Sequence, residues 1–130
     1  MASDAADAVA EINLGTRGNY LRSCVLLLLS EGPAHGYELL SRLSERGFGH
    51  ADAGGLYRAL RVMEEDGLLA SSWDHGESGP ARRVYFVTDE GRAWLDESAH
   101  AVRDMRTRLT RFLRHYRDLE SQSEITAEAS

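Results

Sequence analysis

The chain has 130 residues and a formal net charge of −6. That length suits one domain with its own core, and the longest apolar run, CVLLLL, falls far short of the roughly 18 residues of a membrane span. The N-terminus lacks the basic region of a secretory signal, so a cytoplasmic protein without a membrane partner is expected, and the single cysteine, Cys24, excludes an internal disulfide framework.

In chain order, residues 1–18 are Ala- and Asp-rich and weakly patterned, which predicts a flexible arm. YLRSCVLLLLS, from Tyr20 to Ser30, is apolar on nearly all sides and predicts a buried helix, with Cys24 as a small buried hydrophobe. EGP breaks it. AHGYELLSRLSERG resumes helical spacing through Tyr37, Leu40 and Leu43, and Gly47 supplies a stop. Asp52 is the expected N-cap of a third helix. There Leu56, Leu60 and Met63 make a core face, while Gly54, Arg58, Arg61 and Glu65 share another. Gly67 ends it. LLASSWD and RRVYFVT then read as two strands joined by the turn-rich HGESGPA. Thr88 is placed to cap a last helix, with Asp89 and Glu90 complementing its dipole.

That last helix carries a heptad seam. Leu95, Val102, Leu109 and Tyr116 recur every seven residues, interleaved with Ser98, Met105, Phe112 and Leu119. From Arg92 to Glu120 the rod spans roughly 43 Å at 1.5 Å per residue, more than a small core covers, so its seam calls for a second copy of the chain. Residues 121–130 are expected to be an acidic disordered tail.

The order of helix, helix, helix, strand, strand, long helix predicts a mainly α fold: a winged helix-turn-helix over 19–88 with a two-stranded β-wing, then a C-terminal dimerisation helix over 89–120. Charge distribution leaves nucleic acid open as a partner. Residues 1–18 carry a net −2 and 118–130 a net −4, so 19–117 sum to zero. All 15 basic residues are arginine, a side chain that suits phosphate and guanine, although genomic base composition explains the missing lysines better.

HGYELL, GGLYRALRVMEEDGLLASSW and RRVYFVTDEGRAWL, in this order and at this spacing, resemble the PadR family of transcriptional regulators, from about Tyr20 to Leu95. The single helix beyond resembles the family's smaller subgroup. The resemblance implies a homodimer that binds double-stranded operator DNA as an inverted repeat, usually as a repressor and often released by a small molecule, and it supplies no catalytic residues. On this reading Arg58 and Arg61 reach base edges, Arg82 and Arg83 meet phosphate or a minor groove from the wing, and Tyr37 and Tyr57 stand near the DNA surface. Two glycines in the first turn of a helix are costly. Gly54 and Gly55 are therefore read as permitting close approach of backbone N–H groups to phosphate. The chain departs from the usual family form, with Gly55 where a hydroxyl residue is common and Arg58 where proline is frequent.

Leu95, Val102, Met105, Leu109, Phe112 and Tyr116 are the expected dimer contacts. Trp73 and Trp94 are placed to sandwich a flat hydrophobic effector near the dimer axis. Some small members of the family hold planar drugs with a tryptophan further along the last helix, where Val102 stands here. His35, His50, His75, His100 and His115 show no ligand spacing, and no nucleophile–base set or phosphate loop is visible. No metal, cofactor or enzymatic activity is expected. His35 of the HGY motif is expected to fix the start of the second helix. The alternative reading is a winged-helix dimer acting through a ligand or protein partner with weak DNA binding.

Overall fold

A computed structural model describes residues 17–76 and 79–129. Residues 1–16 of the expected arm lie outside the described residues, and Arg17 and Gly18 already belong to the first helix. The elements are α1 (Arg17–Ser30), β1 (Ala34–His35), α2 (Gly36–Glu45), α3 (Ala53–Glu65), β2 (Leu69–Asp74), β3 (Arg82–Val87) and α4 (Asp89–Ala129).

Helix α1 is the hub. It packs against α2, α3, β3 and α4, and Val25, Leu26, Leu28 and Leu29 are sealed from solvent. The expected buried helix is open on one side, at Leu27, which is 45% exposed: three helices and a sheet cover most of the cylinder but leave one stripe open. Leu39 and Leu43 of α2 and Leu56, Leu60 and Met63 of α3 close the core from the other side. Removing most of such a side chain costs about 2–5 kcal/mol.

The two short helices end by the same device. Gly47 (φ +77°) and Gly67 (φ +80°) take the left-handed conformation. The next N–H, of Phe48 or Leu68, then donates at 2.9 Å to the carbonyl five residues back, of Leu43 or Met63. This is the Schellman closure, and both residues after the glycine are apolar.

The expected wing hairpin is present, and a third short strand extends it. The antiparallel order is β1-β3-β2, with Leu69 opposite Val87, Trp73 opposite Arg83, Asp74 opposite Arg82 and His35 opposite Val84. Alternation puts Ala34, Leu69 and Tyr85 toward the core, where all three are buried.

Thr88 joins the sheet to α4. Its hydroxyl donates to the Gly67 carbonyl at 2.6 Å and accepts from the Gly91 N–H at 3.0 Å. The first turn of α4 thereby lies against the Gly67–Leu68 backbone that leads into β2. A Cβ at Gly91 would sit 2.0 Å from the Leu68 carbonyl oxygen, so only glycine fits there.

Helix α4 has 41 residues, about 61 Å at 1.5 Å per residue. The expected disordered tail is corrected: residues 121–129 continue the helix, since nothing in SQSEITAEA is glycine or proline to break it. The seam also divides. Trp94 and Leu95 pack on the chain's own core. Ser98, 1% exposed, shares a hydrogen bond with Ser23 of α1. Ser23 gives its own proton to the Asn19 carbonyl at 2.9 Å, which makes Ser98 the donor of the pair. Leu95, expected at the dimer interface, is partly buried against the chain's own core, because α1 lies against this part of α4. From Val102 outward the apolar side chains stand largely in solvent, with Met105 half-buried and Leu109 54% and Phe112 66% exposed.

Candidate nucleic-acid interface

The N-terminal half of α3 is built around Asp52. Its Oδ2 accepts the Gly55 N–H at 3.1 Å, and its extended backbone (φ −77°, ψ 153°) is that of an N-cap. This revises the reading of the two glycines. A Cβ at Gly55 would lie 2.7 Å from Asp52 Oδ1, and one at Gly54 would lie 3.2 Å from Arg58 Nη1. Gly55 makes room for the cap, and Gly54 makes room for a guanidinium that leans back over the first turn, as helical side chains do. The Gly55 N–H, expected to meet a phosphate, is held by a carboxylate of the chain itself.

Tyr57, Arg58 and Arg61 occupy the exposed side of α3, opposite the buried Leu56, Leu60 and Met63. Arg61 Nε lies 3.4 Å from Glu65 Oε1, an exposed contact at the edge of hydrogen bonding. Such a pair is worth at most about 0.5 kcal/mol, so Arg61 is readily available to another acceptor.

The wing adds two cations, presented differently. The Arg83 guanidinium lies 5.0 Å over the ring of Trp73, its cross-strand neighbour. Arg82 lies 5.1 Å over the Tyr37 ring at the start of α2. Adjacent strand residues face opposite sides, and each arginine has an aromatic platform on its own side. Tyr37 in turn stacks on His35, with ring centroids 5.4 Å apart and planes 8° from parallel.

His35 ties these parts together. Its backbone N–H donates to Glu38 Oε1 at 3.0 Å, which starts α2. Its ring reaches the wing. Nδ1 lies 3.2 Å from the Arg83 carbonyl, while Nε2 faces Asp74 Oδ2 at 3.3 Å. Asp74 is the cross-strand partner of Arg82. The expectation that His35 fixes the helix start holds through its backbone, and its ring additionally anchors the hairpin. The Glu three residues on was the visible signal for the first role; nothing local announced the second.

Tyr57 completes the surface. Its ring lies against Gly36, where an added Cβ would be 2.6 Å from Tyr57 Cε1. A chain of contacts therefore runs from Tyr57 on α3 through Gly36 and Tyr37 on α2 to Arg82 on the wing. Below it, burial pushes the Tyr85 phenol up, with the nearby Arg83 charge opposing the shift.

The two tryptophans are not brought to one site. Trp73 is 57% exposed on the hairpin beneath Arg83, whereas Trp94 packs against the core from α4. Both roles have local reasons, a cation platform and a helix anchor.

Comparison with known proteins agrees with this geometry. The model of the transcriptional regulator PadR-like family matches residues 25–97. The transcriptional regulator Rv3488 of Mycobacterium tuberculosis is 36% identical over 85 residues, which cover 65% of this chain and 78% of that protein. The crystal structure of a PadR family transcriptional regulator from Eggerthella lenta superposes with a TM-score of 0.60 at 37% identity, covering 68% of this chain and 80% of the other. Bacillus subtilis PadR, solved in complex with operator DNA, shares the fold with a TM-score of 0.55 at 24% identity, over 59% of this chain and 45% of the longer PadR chain. The matched family segment takes in α2, α3, the wing and the start of α4, and the chain belongs to the PadR-like family of transcriptional regulators.

Proposed function

We propose that the protein is a homodimeric, sequence-specific DNA-binding repressor of the cytoplasm that is relieved by a small hydrophobic or aromatic ligand. The observation that carries the DNA reading is the contact chain from Tyr57 to Arg82. It joins the exposed side of α3 to the wing, so that Arg58 and Arg61 at base edges and Arg82 at a phosphate act from one surface, while Arg83, on the opposite side of the strand over Trp73, meets phosphate from the other side of the wing. Gly54 serves this surface by letting Arg58 fold toward the helix start. Gly55 serves it indirectly, through the Asp52 cap. Tyr37 acts as the rest for Arg82.

The dimer reading is supported by the exposed half of α4. Val102, Met105, Leu109, Phe112 and Tyr116 run along a helix too long for the chain's own core, and Leu27 of α1 adds to the apolar surface. Monomeric proteins rarely leave such a stripe in water. A two-fold axis along it presents two recognition helices to half-sites about one DNA turn apart.

The test is a salt-dependent titration of the purified protein against its own upstream intergenic DNA, with a scrambled competitor of equal length. Preferential binding that weakens steeply with salt is expected. Equal affinity for both DNAs at every salt concentration would overturn the regulator reading and leave the fold as a ligand- or protein-binding module.

A further inference from the structure

An open cavity of about 510 Å³ lies between the start of α1, the end of α2, the turn that follows and the first turn of α3. Cys24, Leu43 and Phe48 give it apolar walls, and Tyr20, His50 and Asp52 add a phenol, an imidazole and a carboxylate. Its volume falls in the range of small-molecule sites, about 300–1,000 Å³. Among the described residues no arginine lines it, so Asp52 is the fixed charge facing the space. Gly55 lines it too, so both halves of the α3 cap form part of the wall. Neither Trp73 nor Trp94 contributes.

We propose that this cavity is an effector site for a planar aromatic amine, and that occupation loosens the cap of α3 and weakens operator binding. An aromatic ring suits the apolar walls and the rings of Tyr20 and Phe48. An ammonium suits the Asp52 carboxylate, which an anionic effector would oppose. Asp52 Oδ2 already accepts the Gly55 N–H, and an ammonium paired with the same carboxylate, cation against anion, competes with that bond for its charge. Loss of the cap frays the turn over which Arg58 is folded. The coupling to DNA rests on the regulator reading; binding in the cavity does not.

Cys24 is the sole cysteine of the chain and reports on the cavity it lines. Burial pushes its thiol up, so alkylation by iodoacetamide is followed by mass spectrometry at about pH 9, where thiolate forms. The probe is tryptamine, with indole-3-acetate as a control of the same ring and opposite charge. Calorimetry should show tryptamine binding, and at ten times its Kd alkylation of Cys24 should slow about tenfold. Indole-3-acetate should give little protection. Asp52→Asn, which keeps a good N-cap residue, should remove the preference between the two, and Ala51→Phe, which narrows the cavity, should abolish protection. The site is overturned if tryptamine gives neither heat nor protection up to about 10 mM, or if the carboxylate protects equally well. Protection undiminished in both variants overturns it as well. In the operator titration, saturating tryptamine should lower affinity at least about fivefold. Unchanged operator affinity at proven occupancy overturns the coupling. Absence of operator binding without any ligand is instead a failure of the regulator reading, and the alkylation results still decide the site.

Discussion

The ring of Tyr57 on α3 lies against the Cα of Gly36 at the start of α2, in the space a Cβ would occupy. Two helices of the DNA-binding unit are thereby set at a fixed approach, and the exposed side of one is continuous with the platform that carries the wing arginine. Gly36→Ala forces a half-exposed ring to move rather than a backbone. The expected cost in stability is modest, about 1–2 kcal/mol, with a larger loss of operator affinity. Replacing Tyr57 by alanine in the same chain should recover much of the stability cost. Chemical denaturation of the two single variants and the double variant measures this coupling, and strict additivity would show that the ring and the glycine act independently.

Asp52 and Gly55 make a second coupled pair. Asp52→Ala removes an N-cap and should cost about 0.5–2 kcal/mol. Gly55→Ala alone should also destabilise, despite alanine's higher helix propensity, because its Cβ meets Asp52 Oδ1. In the Asp52→Ala background the same change should become neutral or stabilising. A reversal of sign between the two backgrounds, read by urea titration, is the expected signature.

Gly91 offers no such relief. The atom a Cβ would strike is the Leu68 backbone oxygen, and α4 must lift from the segment that leads into β2 to make room. Gly91→Ala should cost at least about 3 kcal/mol, while Thr88→Ala, which removes a cap and a bond to the Gly67 carbonyl, should cost about 1–3 kcal/mol. Both values come from denaturant midpoints at constant slope.

The four arginines should separate by role. Arg58→Ala and Arg61→Ala should each cost about 1–3 kcal/mol on the cognate operator and relax its sequence preference. Arg82→Ala and Arg83→Ala should weaken cognate and scrambled DNA alike, each lowering the salt slope by about one. None should move the melting temperature appreciably, since all four side chains are exposed. Fluorescence anisotropy at several salt concentrations distinguishes the two patterns.

On α4, Phe112→Glu should dissociate the dimer, raising its dissociation constant by at least about 100-fold, the equivalent of 2.7 kcal/mol for a carboxylate set in an apolar seam. Leu95→Glu should instead unfold the monomer, because Leu95 packs on the chain's own core. Sedimentation velocity with circular dichroism separates the two outcomes.

Periodicity and turn chemistry determined the elements and their order. Three helices, a hairpin and a long helix follow from where apolar residues recur, where Gly47 and Gly67 stop a helix, and where Asp52 and Thr88 begin one; these are local matters of backbone freedom and capping. The arginines of α3 and the wing were equally legible, being exposed cations on a recognisable pattern. What the local pattern could not contain was the partner of each small or polar residue. Gly36, Gly55 and Gly91 are small because of Tyr57, Asp52 and the Leu68 carbonyl, and only the three-residue Asp52–Gly55 spacing lies within reach of a sequence reading. Ser98 interrupts an apolar seam because Ser23, 75 residues earlier, shares its hydrogen bond. The division of the seam into an inner part spent on the chain's own core and an outer part left exposed depends on how far α1 covers α4. That is decided by the packing of the whole domain, because heptad spacing states which residues share a face but not what the face meets.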